Sequence, residues 1–178
     1  MPLVSACIGL GSNLGQPRSL LLAAWQFLAQ HPAIVPQQLS SPYCTKPVGM
    51  NSLHWFINAA GLLRTSLAPE ALLDVLLATE QRFGRVRFPE QAGYHDRTLD
   101  LDLLLIEGQI LRTERLILPH PALHERLFVL APLAEIAPQL CHPVLNKSIA
   151  ELLAESVAKT EIGDVKKVQW EENEEEIS

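Results

Sequence analysis

An α+β sandwich of the ferredoxin-like kind, an antiparallel-rich sheet with helices packed on it, is the architecture this sequence predicts. Three observations point there. Strand-like and helix-like stretches alternate without a strict βαβα rhythm. A hairpin-like pair of strand stretches separates the two longest helical ones, which disfavours a doubly wound sheet. The chain has 178 residues, 48 % of them apolar, enough for one domain with a real core. One domain over 1–158 is therefore expected, followed by an acidic, flexible tail over 159–178.

The elements follow in order. Residues 3–10 are apolar and read as a buried first strand. Gly11-Ser-Asn-Leu-Gly15 is turn chemistry. Residues 17–30 carry Leu20, Leu21, Ala24, Phe27 and Leu28 at helical spacing, with Pro17 suited to a first turn. Residues 34–40 read as a short strand and 41–53 as a loop punctuated by Pro42, Pro47 and Gly49. Residues 55–65 read as a central strand. Pro69 opens a second helix that Gly84 closes. A long loop over 85–96 leads to a strand at 98–106, a turn at Glu107-Gly108 and a short strand at 109–111. Shorter helices are expected over 127–133 and 148–158.

Charge and cysteine content narrow the function. The net charge is −6, and most of it sits in the last 20 residues, with seven acids against three lysines. Seven of the nine arginines fall between 82 and 126, a window without lysine. Arginine is the better fork for bidentate phosphate contacts. An acidic chain with no basic-aromatic tract argues against nucleic acid as a partner. No apolar run approaches the ~20 residues of a membrane-spanning helix, and no leader-like segment is visible at the N-terminus. Cys7, Cys44 and Cys141 are odd in number and scattered, which reads as thiols of a cytoplasmic protein. A monomer is expected.

The sharpest signal is Arg97-Thr-Leu-Asp-Leu-Asp-Leu-Leu-Leu105. Strand side chains alternate, so Asp100 and Asp102 point to one side and Leu101 and Leu103 to the other. Two adjacent carboxylates repel each other unless a cation joins them. Hard divalent ions such as Mg²⁺ accept such oxygen ligation and leave room for phosphate. Arg85 and Arg87 would likewise share a side if their loop is extended. His120, between Pro119 and Pro121, is a candidate phosphate donor, and a site with His124 is a further possibility. Glu80 continues the Leu72, Leu73, Leu76, Leu77 stripe of the second helix, an unusual place for a carboxylate. Trp55, Phe56, Asn58 and Phe128 could form a flat slot for a heteroaromatic ring. Gly9, Gly11 and Gly15 miss the dinucleotide-binding spacing by one residue, and there is no G-x-x-x-x-G-K-[ST] phosphate loop.

Six blocks occur in order: Gly11-Ser-Asn-Leu-Gly15, Thr45-Lys-Pro-Val-Gly49, Phe56-Ile-Asn-Ala-Ala60, Gly84-Arg-Val-Arg87, Arg97-Thr-Leu-Asp-Leu-Asp102 and Leu118-Pro-His120. In these the chain resembles the 6-hydroxymethyl-7,8-dihydropterin pyrophosphokinases of folate biosynthesis, over roughly residues 3 to 155. The resemblance implies transfer of pyrophosphate from ATP to the pterin hydroxymethyl group with release of AMP. It implies two Mg²⁺ ions on Asp100 and Asp102, with Arg87 and Arg97 also catalytic. By the same resemblance Thr45, Pro47, Phe56, Asn58 and Phe128 look like pterin-site residues. Glu80, Arg85, Arg87, Arg97, Arg115, His120 and Arg126 look like ATP-site residues. The chain departs from the family where His95-Asp96 replace a Gly/Ala-Pro pair before Arg97.

Overall fold

The computed structural model describes residues 2–47, 52–86, 95–158 and 165–171. Strand β1 (Val4–Ser12) leads into helix α1 (Pro17–Leu28), which has proline in its first turn. β2 (Ile34–Leu39) and β3 (Tyr43–Thr45) follow, then the long β4 (Phe56–Thr65). Helix α2 (Pro69–Arg82) precedes β5 (Asp100–Ile106). The rest comprises the hairpin β6 (Leu111–Arg112) and β7 (Ile117–Leu118), helix α3 (Leu127–Ile136), the hairpin β8 (Cys141–His142) and β9 (Lys147–Ser148), helix α4 (Ile149–Val157) and β10 (Val165–Lys167).

The main sheet runs β10-β3-β4-β1-β5, with β2 also paired to β4, and every pairing is antiparallel. β4 is central, as the sequence predicts: β1 flanks it along its whole length, and β2 and β3 share its other side. The expected α+β, ferredoxin-like sandwich is the observed one. Helices α1 and α2 cover one face and α3 and α4 the other.

Alternation along the strands divides the core in two. Ala6, Ile8 and Leu10 of β1 join Ile57, Ala59 and Leu63 of β4 under α1 and α2. Cys7 and Ala60 face Leu130, Leu133, Ile149 and Leu152 of α3 and α4. On β5, Leu101 and Leu103 enter the first cluster. A register shift against β1 between Cys7 and Ile8 then lets both Leu104 and Leu105 join the second. One strand thereby buries an unbroken leucine run while keeping its two aspartates on one face.

Gly61 marks a close approach between layers. A Cβ there would lie 2.9 Å from Trp25 Cη2 of α1. Gly61→Ala is expected to cost about 1–3 kcal/mol, because overpacking forces the indole off its seat. Chemical denaturation of wild type and variant measures the cost, and unchanged stability would show that the indole moves freely.

Several elements differ from the expected ones. The loop over 41–53 contains β3, too short to show a period. The 109–111 strand is displaced into the β6–β7 hairpin. Helix α3 continues through Pro132 to Ile136; its apolar burial outweighs the missing proline N–H. Part of the expected tail lies in the fold. β10 pairs with β3, Val168 is buried, and Trp170 donates from Nε1 to the Ser40 carbonyl at 3.2 Å. Those apolar residues are interspersed with charge, which hides them from a composition reading. Residues 159–164 and 172–178 lie outside the described ones.

Candidate active site

Asp100 and Asp102 stand at the edge of the sheet, on its α3 face. Opposite them on β1 are Gly11 and Gly9, respectively. Two glycines two apart in a strand share a face, so β1 contributes no side chain there, and the space above it is bounded by Asn58, Asp100, Asp102 and Leu104 of the neighbouring strands. The bare strip forms the floor of a cavity of about 140 Å³. Its walls come from Thr45, Phe56, Asn58, Arg97, Arg126 and Phe128, with both aspartates at one end. The glycine pair was legible as a pattern, but only strand register reveals its use.

The polar groups of this cavity are fixed. Asn58 donates from Nδ2 to Thr45 Oγ1 at 2.8 Å, in a buried pair. The Arg97 guanidinium lies 5.4 Å from the Phe56 ring centre and that of Arg126 lies 5.7 Å from the Phe128 ring. Of the predicted pterin residues, Thr45, Phe56, Asn58 and Phe128 line the cavity. Pro47 is half-buried two residues beyond Thr45 and is not in the wall. Trp55, expected in the aromatic slot, is instead 45 % exposed, with Lys46 Nζ 5.8 Å from its ring.

A second cavity of about 430 Å³ opens on the far side of β5. Leu73 and Leu77 of α2, Leu101 and Leu103 give it an apolar wall, and Arg115 and His120 lie at its rim. Asp102 lines both cavities. Arg115 also pairs with the exposed Asp74. His120 Nδ1 accepts the Ala122 N–H at 3.2 Å, which leaves Nε2 as the protonated, donating nitrogen. Burial, with the positive charge of Arg126, holds the His120 pKa below the ordinary histidine value, against a smaller opposing pull from Asp100.

Asp100 is gripped from behind. Arg85 Nη1 pairs with its Oδ1, and Arg97 Nη1 lies 3.1 Å from its Oδ2. Arg85 also donates to Glu80 Oε1 and to the Leu99 carbonyl, at 3.0 and 3.1 Å. Local structure explains the grip. Gly84, at φ 83°, ends α2 in a Schellman motif: Arg85 N bonds the Glu80 carbonyl and Gly84 N that of Gln81. The chain folds back, so Arg85 returns to the helix end beside Glu80. Glu80, 1 % exposed, accepts the Leu101 N–H at 2.8 Å. Glu80 and Arg85 thus stand behind the carboxylates and line neither cavity. Arg87 lies outside the described residues.

Burial and the neighbouring Asp100 charge push the Asp102 carboxyl up to about 6, against the pull of Arg126, Arg97 and Arg85. A partly buried carboxylate pair with repulsion left over fits a hard divalent cation, which takes one or two carboxylates and fills its other positions with water and phosphate. No group of three or more His, Cys, Asp or Glu suited to a metal occurs among the described residues. A closed zinc-type site with His124 is therefore not formed there; that ring packs against His142 instead.

The family model for 7,8-dihydro-6-hydroxymethylpterin-pyrophosphokinase matches residues 7–138. A 2-amino-4-hydroxy-6-hydroxymethyldihydropteridine pyrophosphokinase of Methylorubrum extorquens is 40 % identical over 164 residues, covering 92 % of this chain and 98 % of that protein. The Bacillus subtilis protein of the same name is 44 % identical, over 76 % of this chain and 79 % of its own. Among solved structures, Plasmodium falciparum HPPK-DHPS with pteroate superposes with a TM-score of 0.71 at 14 % identity, a likeness of fold. The match covers 93 % of this chain and 48 % of that one, so the present chain spans about half of the solved protein. By family model, by relatives matched over most of their length and by fold, this chain belongs to the 7,8-dihydro-6-hydroxymethylpterin-pyrophosphokinase family.

Proposed function

We propose that this chain transfers the pyrophosphoryl group of ATP to the hydroxymethyl group of 6-hydroxymethyl-7,8-dihydropterin, releasing AMP, in folate biosynthesis. The observation that carries the reading is the carboxylate pair at the junction of two cavities, with Asp102 lining both: one is a small aromatic-polar slot and the other is wider, with leucines on its wall and Arg115 and His120 at its rim. The pterin fits the first. Phe56 and Phe128 supply ring faces, and the Asn58 amide, oriented by Thr45, supplies an acceptor for ring N–H groups. ATP fits the second, with its phosphates toward Asp102.

The hydroxymethyl oxygen attacks the β-phosphorus and gives up its proton to water as the bond from that phosphorus to the α-phosphate bridging oxygen breaks, and AMP leaves with that oxygen. A loose transition state of this kind gains most from positioning and charge balance. Arg97 spans the Phe56 ring and Asp100, so one side chain links the pterin slot to the phosphate end. Arg126, near Asp102, adds positive charge facing the transferred group. His120, neutral near pH 7, donates from Nε2 to a phosphate oxygen. Glu80 and Arg85 hold the carboxylates in place. Asp100 and Asp102 would hold the two Mg²⁺ ions, which when bound offset the charge of the triphosphate. Arg87 and Arg115 are assigned to the phosphates and nucleotide. The thiols of Cys7, Cys44 and Cys141, none of them in a disulfide, support a cytoplasmic setting.

Incubation with ATP, Mg²⁺ and the pterin tests the reading. The expected products are AMP and pterin diphosphate in equal amounts, with none when Mg²⁺ is chelated. Formation of ADP in their place would replace pyrophosphoryl transfer with ordinary kinase chemistry.

A further inference from the structure

Asp96 stands where the family resemblance leads one to expect proline, and its carboxylate is in use. Its Oδ1 accepts a hydrogen bond from Asn13 Nδ2 at 2.7 Å. Asn13, only 4 % exposed, follows directly on β1. Its Oδ1 accepts the Arg97 N–H at 2.8 Å, and its own N–H donates to the Arg97 carbonyl at 3.2 Å. Three hydrogen bonds thus clamp residues 96 and 97 to the end of β1.

The orientation of the Asn13 amide decides whether this clamp works. Turned over, it would present NH₂ to the Arg97 N–H, donor against donor. A carboxylate at 96 only accepts, so it selects the productive orientation. Hydrogen bonds from Ser52 and Asn13, with the nearby His54 and His95, keep the Asp96 carboxyl below the ordinary aspartate range, so it remains an ionised acceptor.

Resting on the pyrophosphoryl-transfer reading above, we propose that Asp96 is a positioning residue for that reaction. Through Asn13 it fixes the Arg97 backbone, and with it the guanidinium that reaches Asp100 and the Phe56 face. Where a proline would constrain the chain by its ring, this chain uses a hydrogen-bonded carboxylate. The expected consequence falls on turnover, because a small displacement of a group that must meet the transition state acts on the rate.

The test compares wild type, Asp96→Ala and Asp96→Asn in the full chain. For Asp96→Ala, kcat is expected to fall about ten- to hundredfold, with a smaller change in KM for ATP. Its melting temperature should stay near wild type, since Asp96 is exposed. Asp96→Asn keeps an acceptor oxygen for Asn13 and is expected to recover most of kcat. Full activity in Asp96→Ala would overturn the proposal. So would equal loss in both variants, which would make charge rather than the hydrogen bond responsible. The Arg97 amide supplies a readout free of turnover: its hydrogen exchange, corrected for local sequence, should speed up in Asp96→Ala and stay slow in Asp96→Asn. Unchanged exchange in Asp96→Ala also overturns the proposal. A wild-type chain that makes no AMP would refute the reaction, and the exchange data would still decide the role of Asp96.

Discussion

Asp102→Asn is expected to lower kcat by at least about 10³ and, in the same protein free of divalent metal, to raise the melting temperature at neutral pH. The two effects share one cause. Asp102 is partly buried beside Asp100, and its carboxyl is pushed up to about 6 from an ordinary 3.8. An acid whose pKa is raised by folding destabilises the fold when ionised. Below about pH 3 the group is protonated in both states and costs nothing. Between there and about pH 6 the unfolded chain ionises first, and stability falls as pH rises. Above pH 6 the full penalty remains, about 1–3 kcal/mol after allowance for residual solvent. Asparagine removes it, so the variant should gain about 3–8 °C at pH 7.5 with chelator and only about 1 °C at pH 4. Mg²⁺ should raise the melting temperature of wild type more than that of the variant, by linkage. A variant that melts lower at pH 7.5 would show that the arginines already balance Asp102. Retained turnover would remove Asp102 from the reaction.

That conflict between stability and activity was half legible in the sequence. Asp100 and Asp102 two apart in an apolar run announced a shared face, and β5 delivers it. The glycines at 9 and 11 carried an equally local signal, two small residues two apart in a strand. Their meaning lay in the register that sets them across from the aspartates, which one strand cannot state. Long elements with strong periods, α1, α2 and β4, were readable for the same reason that the aspartates were. β3 and β10 were not, because three residues show no period and β10 finds its partner more than a hundred positions away; β6 was read two residues early, since a two-residue strand has no period to fix its bounds. Asn13 was visible only as turn chemistry; its hydrogen bonds to residues 96 and 97 span more than eighty positions. Glu80 was the informative anomaly: a carboxylate on an apolar stripe could be read as a substrate-site acid or as a tolerated boundary residue, and only the folded contacts show what it holds.

Glu80→Ala should bring the largest loss of stability, about 3–5 kcal/mol. Glu80 Oε1 receives both the Leu101 N–H and Arg85 Nη1. Deleting the side chain strands a buried backbone donor inside β5 and takes from Arg85 one of its two carboxylates. It also frees the end of α2 from the strand that bears the aspartates, so kcat should fall as well. Glu80→Gln separates charge from shape. Its Oε1 can still accept both bonds, now as a neutral oxygen, so the loss should shrink to about 1–2 kcal/mol. Urea denaturation of the two variants measures the difference, and the slope of the transition should be unchanged if only the native state is affected. Equal losses would mean that the negative charge itself, facing Arg85, provides the stabilisation. Losses under about 1 kcal/mol in both would mean that water takes over the acceptor role, and that the Asp100 grip by Arg85 and Arg97 stands without Glu80. The expected order, Ala well below Gln and Gln below wild type, makes Glu80 the residue that fixes where β5 presents its carboxylates.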